Sequence, residues 1–267
     1  MKRRWKWIIL AIAVLILVTW SLYQVRTYYA IAEKINPYPI NHYQDDTVRI
    51  AFIGDSWAYY HQEHPCKIDS FLSCSIQRPV IIMSAGISGA TSKNIYAAFF
   101  NHPSIQSVLK SGPDYCILSA GINDANIRIG KDSYQQHIRL IIDFLLHNHI
   151  VPVILEIPDY NIERVYNRST AIQKLRRRFS MIVTGSSLDC RTEYRQALLS
   201  MIEQNHYQKN VILVKAESWN PSGFNDPRNL YLDDGIHLNN KGYSILDHHI
   251  IQPIIKDFRC KNGLSSE

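Results

Sequence analysis

Five short apolar segments, separated by stretches with helical spacing, constrain the fold of this chain more than any other feature of its sequence. They are rich in β-branched residues and apolar at successive positions, which is typical of strands buried on both faces of a parallel sheet. The segments are TVRIAFI (47–53), RPVIIM (78–83), YCILSA (115–120), VPVILEI (151–157) and VILV (211–214).

Helical periodicity occupies the stretches between the predicted strands. In residues 133–148, apolar side chains fall on one stripe, and Asp132 or Ser133 is suited to cap the helix. Residues 191–204 and 243–257 are predicted as two further helices. Alternating strands and helices favour βαβ units and a parallel sheet. We therefore predict an α/β fold: a three-layer α/β/α sandwich around a flavodoxin-like, five-stranded parallel sheet.

The N-terminal segment has a different character. Residues 7–24 (WIILAIAVLILVTWSLYQ) carry no charge, and as a helix they would be about 27 Å long, close to the thickness of a bilayer's hydrocarbon core. Trp5, Trp7 and Trp20 lie near the two ends, where amphipathic rings prefer the interface. The segment predicts an N-terminal transmembrane helix. A retained signal anchor is favoured over a cleaved signal peptide, because the small residues Ala30 and Ala32 lie well beyond the apolar run.

Charge is distributed unevenly along the chain. The net charge is +6, and the first 26 residues contain five basic residues and no acid, so the remainder is nearly neutral. This distribution argues against a nucleic-acid partner. It also favours a cytoplasmic N-terminus, because basic residues precede the apolar run. A second basic run, residues 174–178 (KLRRR), is interpreted as the solvated face of a helix.

These observations predict three regions. Residues 1–25 form a cytoplasmic basic stub and the signal-anchor helix, residues 26–45 form a linker, and residues 46–267 form the folded domain. The domain would then lie on the extracytoplasmic (periplasmic) side of the inner membrane.

The chain contains five cysteines, so at least one thiol is unpaired in any disulfide scheme. Cys66 and Cys74 are the favoured local pair, while Cys116, in a predicted strand, is expected to be an inert core thiol. His61, His64 and Cys66 form a loose cluster without a second ligand pair at zinc-like spacing, which favours a loop. No metal or cofactor is predicted.

Polar and glycine-containing motifs follow four of the predicted strands. They are Gly54-Asp55-Ser56, Ser84-Ala85-Gly86-Ile87-Ser88-Gly89, Gly121-Ile122-Asn123-Asp124 and, across a loop from the fifth strand, Asp234-Gly235-Ile236-His237. In open parallel sheets, sites form beyond the carboxyl ends of the strands. The motifs are therefore expected to meet at one edge of the sheet.

The residue types in these motifs suit nucleophilic catalysis. A serine hydroxyl needs a base within hydrogen-bond reach, and His237 is the candidate base for Ser56. Asp234 lies three residues before His237, where its carboxylate can accept from the imidazole and fix its tautomer. Asp233 has the wrong offset for that role. The alternative for the Asp-x-x-His motif taken alone is an ordinary loop with a capping aspartate.

Together, the four motifs in this order resemble the SGNH (GDSL) hydrolases over residues 47–257. The resemblance implies a catalytic triad of Ser56, Asp234 and His237. It also implies an oxyanion hole made by the backbone N–H groups of Ser56 and Gly89 and the side-chain amide of Asn123. Asp55 and Asp124 are expected to order their loops, and Gly86 is interpreted as a turn residue.

The function that follows is hydrolysis of a carboxylic ester by an acyl-enzyme mechanism. The resemblance and the extracytoplasmic placement favour an ester-bearing small molecule or glycan as the substrate, with an O-acetyl group on a carbohydrate as the preferred target. They also favour glycan-synthesis machinery as a partner. Two alternatives stay open: an O-acyltransferase using the same triad, and a non-catalytic glycan-binding domain. Aromatic residues near the motifs have two possible roles: stacking on a sugar substrate, or packing that holds the loops against the protein. Packing is the favoured interpretation. The residues are Trp57, Tyr59, Tyr60, Trp219, Phe224 and Tyr231.

Overall fold

The structure, a computed structural model, describes residues 2–64 and 67–263. Five strands in these residues form one sheet, and all neighbouring strands are parallel. The strands are β1 (Val48–Gly54), β2 (Val80–Gly86), β3 (Tyr115–Ser119), β4 (Val151–Leu155) and β5 (Ile212–Val214). Their order is β2-β1-β3-β4-β5, which is the flavodoxin-like order. The predicted five-stranded parallel sheet is confirmed.

Helices connect the strands. The helices are α1 (Lys2–Tyr29), α2 (Ser56–His61), α3 (Ile68–Ile76), α4 (Ser92–Asn101), α5 (Pro103–Lys110), α6 (Ile122–Ile127), α7 (Lys131–His147), α8 (Ile162–Arg168), α9 (Ala171–Thr184), α10 (Arg191–Gln204), α11 (Ala216–Trp219) and α12 (Asn240–Lys261). Two short 3₁₀ turns lie at Tyr207–Lys209 and Gly223–Asn225. Helices α4, α5, α7 and α10 form one packed group, and α3, α11 and α12 form another. Together with the sheet they make the predicted three-layer α/β/α sandwich.

The strands differ in how completely they are buried. All of β3 and nearly all of β1 and β4 are buried, which agrees with their apolar runs. β2 alternates instead, and Ile81 and Met83 are exposed. The expectation that every strand is covered on both faces is therefore wrong for β2. It is an edge strand, so helices of the neighbouring layer cover it only in part.

Helix α7 buries the predicted apolar stripe. Ile138, Ile141 and Leu145 are fully buried. The helix begins at Lys131, and its N-cap is Gly130, with a φ of 91°. The prediction that Asp132 or Ser133 caps this helix is therefore wrong. The chain enters α7 through the left-handed backbone of Gly130, a conformation that glycine adopts without steric cost.

Helix α1 contains a candidate membrane span. The window Arg4–Leu22 has a mean hydropathy of 2.1, and none of it is buried against the rest of the protein. By length and composition this helix can cross a bilayer, and a signal sequence has the same properties. It continues to Tyr29, four residues beyond the predicted end of the anchor region.

The segment after α1, residues 30–45, lies along the domain. Its backbone N–H groups donate to three side chains of the α4–α7 layer. Ala32 donates to His137 Nε2 at 3.0 Å, Ile35 to Tyr96 Oη at 2.8 Å, and Ile40 to Asn148 Oδ1 at 2.9 Å. Each bond fixes one backbone group of the segment against a partly or fully buried side chain. The segment predicted as a linker is thus packed onto the domain it leads to.

Among the described residues, four cysteines carry free thiols: Cys74, Cys116, Cys190 and Cys260. Cys116 is fully buried, and burial raises the pKa of its thiol, as expected for an inert core cysteine. Cys66, the predicted partner of Cys74, lies outside the described residues. His61 and His64 contact Asp247 Oδ1 at 2.8 Å and Asn240 Oδ1 at 3.1 Å, respectively.

Candidate active site

Ser56 lies where β1 gives way to α2. Asp55 caps α2, because its Oδ1 accepts the backbone N–H of Trp57 at 3.0 Å. The Ser119 hydroxyl, at the end of β3, donates to the same oxygen at 3.2 Å. As the first residue of α2, Ser56 has a backbone N–H without an acceptor inside the helix. The strand end, the cap and the neighbouring strand together hold Ser56 at the carboxyl edge of the sheet.

The loop that carries Asp234 and His237 is closed like a hairpin. The N–H of Leu232 donates to the His237 carbonyl at 2.8 Å, and the N–H of Asn239 donates to the Leu230 carbonyl at 3.0 Å. The loop then leads directly into α12, whose N-cap is Asn239. This pairing presents the histidine ring on a backbone tied at both ends.

The three predicted triad residues form one hydrogen-bonded chain. His237 Nε2 lies 2.9 Å from Ser56 Oγ, and His237 Nδ1 lies 2.6 Å from Asp234 Oδ2. The other oxygen of Asp234 accepts the backbone N–H groups of Ile236 and His237, each at 2.9 Å. With an ionised Asp234, this geometry favours the tautomer in which Nδ1 carries the proton and Nε2 accepts from the serine hydroxyl.

Asp234 is tuned to stay ionised. Partial burial alone would raise the pKa of its carboxyl. The backbone N–H groups of His237 and Ile236, together with the histidine ring, outweigh burial and hold the pKa below its ordinary value. A carboxylate with these donors suits the support of an imidazolium.

The other predicted oxyanion donors lie in the loops after β2 and β3. Gly89 occupies a turn in which the Ala90 N–H donates to the Ile87 carbonyl at 3.0 Å, and its φ of 76° favours glycine. Gly89 is exposed, and a Cβ at this position would meet no atom within 4 Å. One N–H of the Asn123 amide donates to the Ala90 carbonyl at 3.0 Å. Because a side-chain amide has two N–H groups, one is left for a substrate.

Gly86 serves close packing, and the interpretation as a turn residue is wrong. It is the last residue of β2 and lies outside the left-handed region. A Cβ at this position would come within 2.1 Å of the Tyr59 backbone nitrogen and 2.5 Å of the Asp55 carbonyl oxygen. Only glycine lets β2 approach the start of α2 so closely.

Two other aspartates of the motifs are buried and brace the site. Asp124 accepts hydrogen bonds from the backbone N–H and hydroxyl of Ser92, which ties α6 to the start of α4. Burial raises the pKa of Asp55 to about 7 and that of Asp124 to about 6. Both therefore act as loop-ordering groups, in contrast to the solvent-accessible Asp234.

Of the aromatic residues near the motifs, Trp57 and Trp219 pack inside the protein. Both are buried, and their rings contact edge-on at 5.8 Å. The Trp57 indole N–H also donates to the Ile236 carbonyl at 3.2 Å, which joins α2 to the histidine loop. Phe224 and Tyr231 pack against each other at 5.5 Å. For these four residues the packing interpretation is the one observed.

Tyr59 and Tyr60 are different, because both are exposed beside the site. The Tyr60 ring lies 4.9 Å from the His237 ring, in an edge-to-face contact. These two rings form an accessible aromatic rim next to Ser56.

The segment after β4 is the part of the site that the sequence reasoning missed. The Asn161 N–H donates to the Gly235 carbonyl at 2.8 Å, and Arg168 donates to the Asp233 carbonyl at 3.0 Å. α8 and its N-cap thus hold the loop between Asp234 and His237. The strand-end rule, applied to the fourth strand as to the others, would have pointed to this segment.

A model of the GDSL-like lipase/acylhydrolase family matches residues 52–245. No curated protein matches the chain.

Several solved structures share the fold. The lipase/acylhydrolase from Enterococcus faecalis is 14% identical, with a TM-score of 0.54 over 79% of this chain and 96% of that chain. An acetyl xylan esterase is 15% identical, with a TM-score of 0.52 over 78% and 100%. The lipase Lip_vut3 from a goat rumen metagenome is 12% identical, with a TM-score of 0.50 over 76% and 95%. At these identities the likeness shows the fold.

Proposed function

This chain belongs to the GDSL-like lipase/acylhydrolase family of serine hydrolases, and from that premise we propose that it is an esterase whose nucleophile is Ser56. His237 is the general base and Asp234 its orienting acid. The observation that carries this proposal is the continuous hydrogen-bonded chain from Asp234 Oδ2 through the His237 ring to Ser56 Oγ.

The first half of the reaction acylates the serine. As Ser56 Oγ attacks the ester carbonyl carbon, its proton passes to His237 Nε2, and Asp234 stabilises the resulting imidazolium. The tetrahedral intermediate then collapses, and the C–O bond to the alcohol breaks. The imidazolium returns the proton to the departing alcohol oxygen, leaving an acyl group on Ser56.

Negative charge on the former carbonyl oxygen requires fixed donors. We assign this role to the backbone N–H groups of Ser56 and Gly89 and to the free N–H of the Asn123 amide. Removing one such donor typically costs about 3–4 kcal/mol of activation free energy. Because Asn123 is tied to the Ala90 carbonyl next to Gly89, two of the three donors belong to one braced unit.

The second half releases the acid. Water gives a proton to His237 Nε2 as its oxygen attacks the acyl carbon, and the same donors stabilise the second tetrahedral intermediate. Collapse of that intermediate returns the proton to Ser56 Oγ and frees the carboxylic acid.

For the substrate, we favour an O-acetyl group on a carbohydrate. The exposed Tyr59 and Tyr60 rings beside His237 offer an apolar surface of the kind that packs against sugar rings. One structural neighbour carries the name acetyl xylan esterase, which makes an acetylated glycan a reasonable substrate to test first.

For the location, we favour a retained anchor with the domain outside the cytoplasm. In this arrangement residues 1–25 form the stub and span, residues 26–45 the connector, and residues 46–267 the hydrolase domain. The basic residues that precede the apolar run favour a cytoplasmic N-terminus in the inner membrane. Machinery for glycan synthesis is the partner that this placement would bring within reach.

The test uses the full chain solubilised in a mild detergent, with an aryl acetate as substrate and a fluorophosphonate probe. We expect Ser56→Ala to lose probe labelling and to lower kcat by about 10⁶-fold. Ser70→Ala, at an exposed serine on α3, is the matched control and should behave like the wild type. Wild-type labelling or turnover in Ser56→Ala would refute the assignment.

Products then separate hydrolysis from transfer. With an acetylated glycan and a free glycan acceptor present, we expect acetate as the main product. Dominant acetylation of the acceptor at modest concentration would replace the hydrolase proposal with the acyltransferase alternative.

A further inference from the structure

Helix α9 exposes its apolar face. Five of its apolar side chains are between 47% and 81% exposed: Ile172, Leu175, Phe179, Ile182 and Val183. At 3.6 residues per turn they fall within an arc of about 100°, which forms one continuous stripe along the helix. We call these five residues the α9 stripe.

The opposite face of α9 points inward and, apart from the partly buried Met181, is polar. Ser180 is buried, and Lys174 and Arg177 are partly buried. The Lys174 ammonium donates to the Asn167 carbonyl at 3.1 Å and lies over the Tyr166 ring at 5.5 Å. Of the basic residues in 174–178, Arg176 and Arg178 are exposed, as expected for a solvated face, whereas Lys174 and Arg177 are only partly exposed. A helix on a water-facing surface has the reverse arrangement, with its apolar stripe toward the core.

Arginines border the stripe. By helical spacing, Arg176 follows one edge of the α9 stripe and Arg178 follows the other, and both are exposed. An apolar stripe flanked by basic side chains is the pattern of a helix lying in the membrane interface, where the long side chains reach the headgroups.

Helix α1, which contains the candidate span Arg4–Leu22, ends beside α9. The Tyr29 hydroxyl, in the last residue of α1, donates to Ser180 Oγ at 2.7 Å. The Lys93 ammonium donates to the Ala30 carbonyl at 2.7 Å, which holds the first residue after α1 against α4. The contact lies seven residues after the candidate span, about 10 Å further along α1. In a bilayer spanned by Arg4–Leu22, this position is close to the headgroup region.

We propose that the α9 stripe lies in the interfacial region of the membrane that α1 spans, in contact with lipid acyl chains and anionic headgroups. The proposal rests on α1 being the retained anchor described under Proposed function. The position of Tyr29 favours lipid as the occupant, because a partner protein would need to displace the bilayer surface next to the span. The two bordering arginines complement anionic lipid.

This contact would also steady the active site. α8 precedes α9 by two residues, and the segment that includes α8 holds the loop of Asp234 and His237 through the Asn161 and Arg168 hydrogen bonds. Docking α9 on the membrane would therefore restrain α8, and through it the loop of Asp234 and His237.

The test places a photoreactive benzoylphenylalanine at single positions of the full chain in nanodiscs of phosphatidylethanolamine and phosphatidylglycerol. Position Phe179 probes the α9 stripe and position Leu15 probes the span. Position Phe71, exposed on α3 in the other helical layer, is the matched control. After irradiation, mass spectrometry identifies the adducts. We expect lipid adducts at Phe179 and Leu15 in similar yield, and at least tenfold less at Phe71.

Other adduct patterns would contradict the docking of α9, the anchor role of α1, or both. Lipid at Leu15 with no adduct at Phe179, or with an adduct to a second protein chain there, overturns the docking proposal and leaves the anchor intact. Lipid at Phe179 without lipid at Leu15 refutes the anchor but keeps the membrane contact of α9. Equal lipid yields at Phe71 and Phe179 also overturn the proposal, because they show contact without a preferred face.

Discussion

Helices α7 and α9 are both amphipathic, yet they face opposite ways. In α7 the apolar stripe is buried in the domain core, with Ile138, Ile141 and Leu145 inaccessible to solvent. In α9 the apolar stripe is exposed, and Lys174, Arg177 and Ser180 lie toward the protein. Helices with the same apolar periodicity therefore contact different surroundings: α7 contacts the protein core, and by our proposal α9 contacts a lipid surface.

The molecule thus has two parts with different surroundings. The sheet with its strand-end loops and α7 carries the proposed chemistry on a fully packed scaffold. The segment of α8 and α9 supports the catalytic loop from outside and connects it to the end of α1. Four experiments test this division, in order of decreasing expected effect.

In detergent, where no bilayer restrains α9, activity should depend on the strand-end loops and not on the α9 stripe. Asp234→Asn keeps the shape of the side chain but removes the charge that fixes the histidine tautomer, and we expect kcat on an aryl acetate to fall about 10⁴-fold. Phe179→Ser should leave kcat on the same soluble substrate within about twofold. Steady-state kinetics of both variants in detergent provides the measurement, and a large loss in Phe179→Ser would break the division.

Stability should show the same contrast. Ile141→Ala removes a fully buried side chain of α7 and should lower the free energy of unfolding by about 2–5 kcal/mol. Ile182→Ala removes a side chain that is 81% exposed and should cost less than about 0.5 kcal/mol. Urea unfolding of the solubilised chain, followed by circular dichroism, measures both. Equal costs would mean that the α9 stripe is packed against protein.

The ionisable groups also differ between the two parts: the core fully buries the carboxylates of Asp55 and Asp124, whereas the inner face of α9 holds two partly buried cations, Lys174 and Arg177. Burial raises the pKa of Asp55 to about 7, whereas an unfolded aspartate titrates near pH 4. The folded state therefore binds this proton more tightly. The stabilisation of the folded state by protonated Asp55 is therefore fully present below about pH 4 and is lost as the pH rises through about 7.

Asp55→Asn should remove that dependence, because the amide oxygen can still accept from the Trp57 N–H. Between pH 4.5 and 7.5 we expect the free energy of unfolding of the variant to decline less than that of the wild type, by about 1.4 kcal/mol for each pH unit between the two pKa values. Unfolding titrations at several pH values test this. Asp46→Asn, at a highly exposed carboxylate, is the control. An unchanged slope in Asp55→Asn would contradict the pKa assignment.

The smallest effect concerns the arginines at the border of the α9 stripe. Arg176→Gln and Arg178→Gln should each weaken docking on anionic lipid by about 1 kcal/mol, or roughly fivefold in the docked-to-undocked ratio. The lipid-adduct yield at Phe179 reports this ratio in nanodiscs with and without phosphatidylglycerol. Lys256→Gln, at an exposed lysine of α12, should have no effect. A loss of the same size in purely zwitterionic nanodiscs would argue against an electrostatic contribution.

Much of the fold and the arrangement of the candidate site could be predicted. The apolar, β-branched runs predicted all five strands, and in β1, β3 and β4 the run is nearly uninterrupted because these strands are buried on both faces. The strand-end rule then predicted that motifs far apart in sequence would meet, and the structure brings Ser56 and His237 within 2.9 Å across 181 positions. The exposed edge of β2 and the Gly130 cap of α7 were mispredicted, because both depend on how the neighbouring segments of the chain lie against them.

Features that depend on local physics could be identified from the sequence alone: the strand runs, the helical stripes, the Asp-x-x-His spacing and the uncharged span. Tertiary contacts were needed to show which face of α9 points inward and that the Tyr29 hydroxyl donates to Ser180, 151 positions away. Periodicity records that a helix has two faces but not what lies beyond each of them. That depends on contacts between distant segments and on the solvent, water or lipid, that surrounds them.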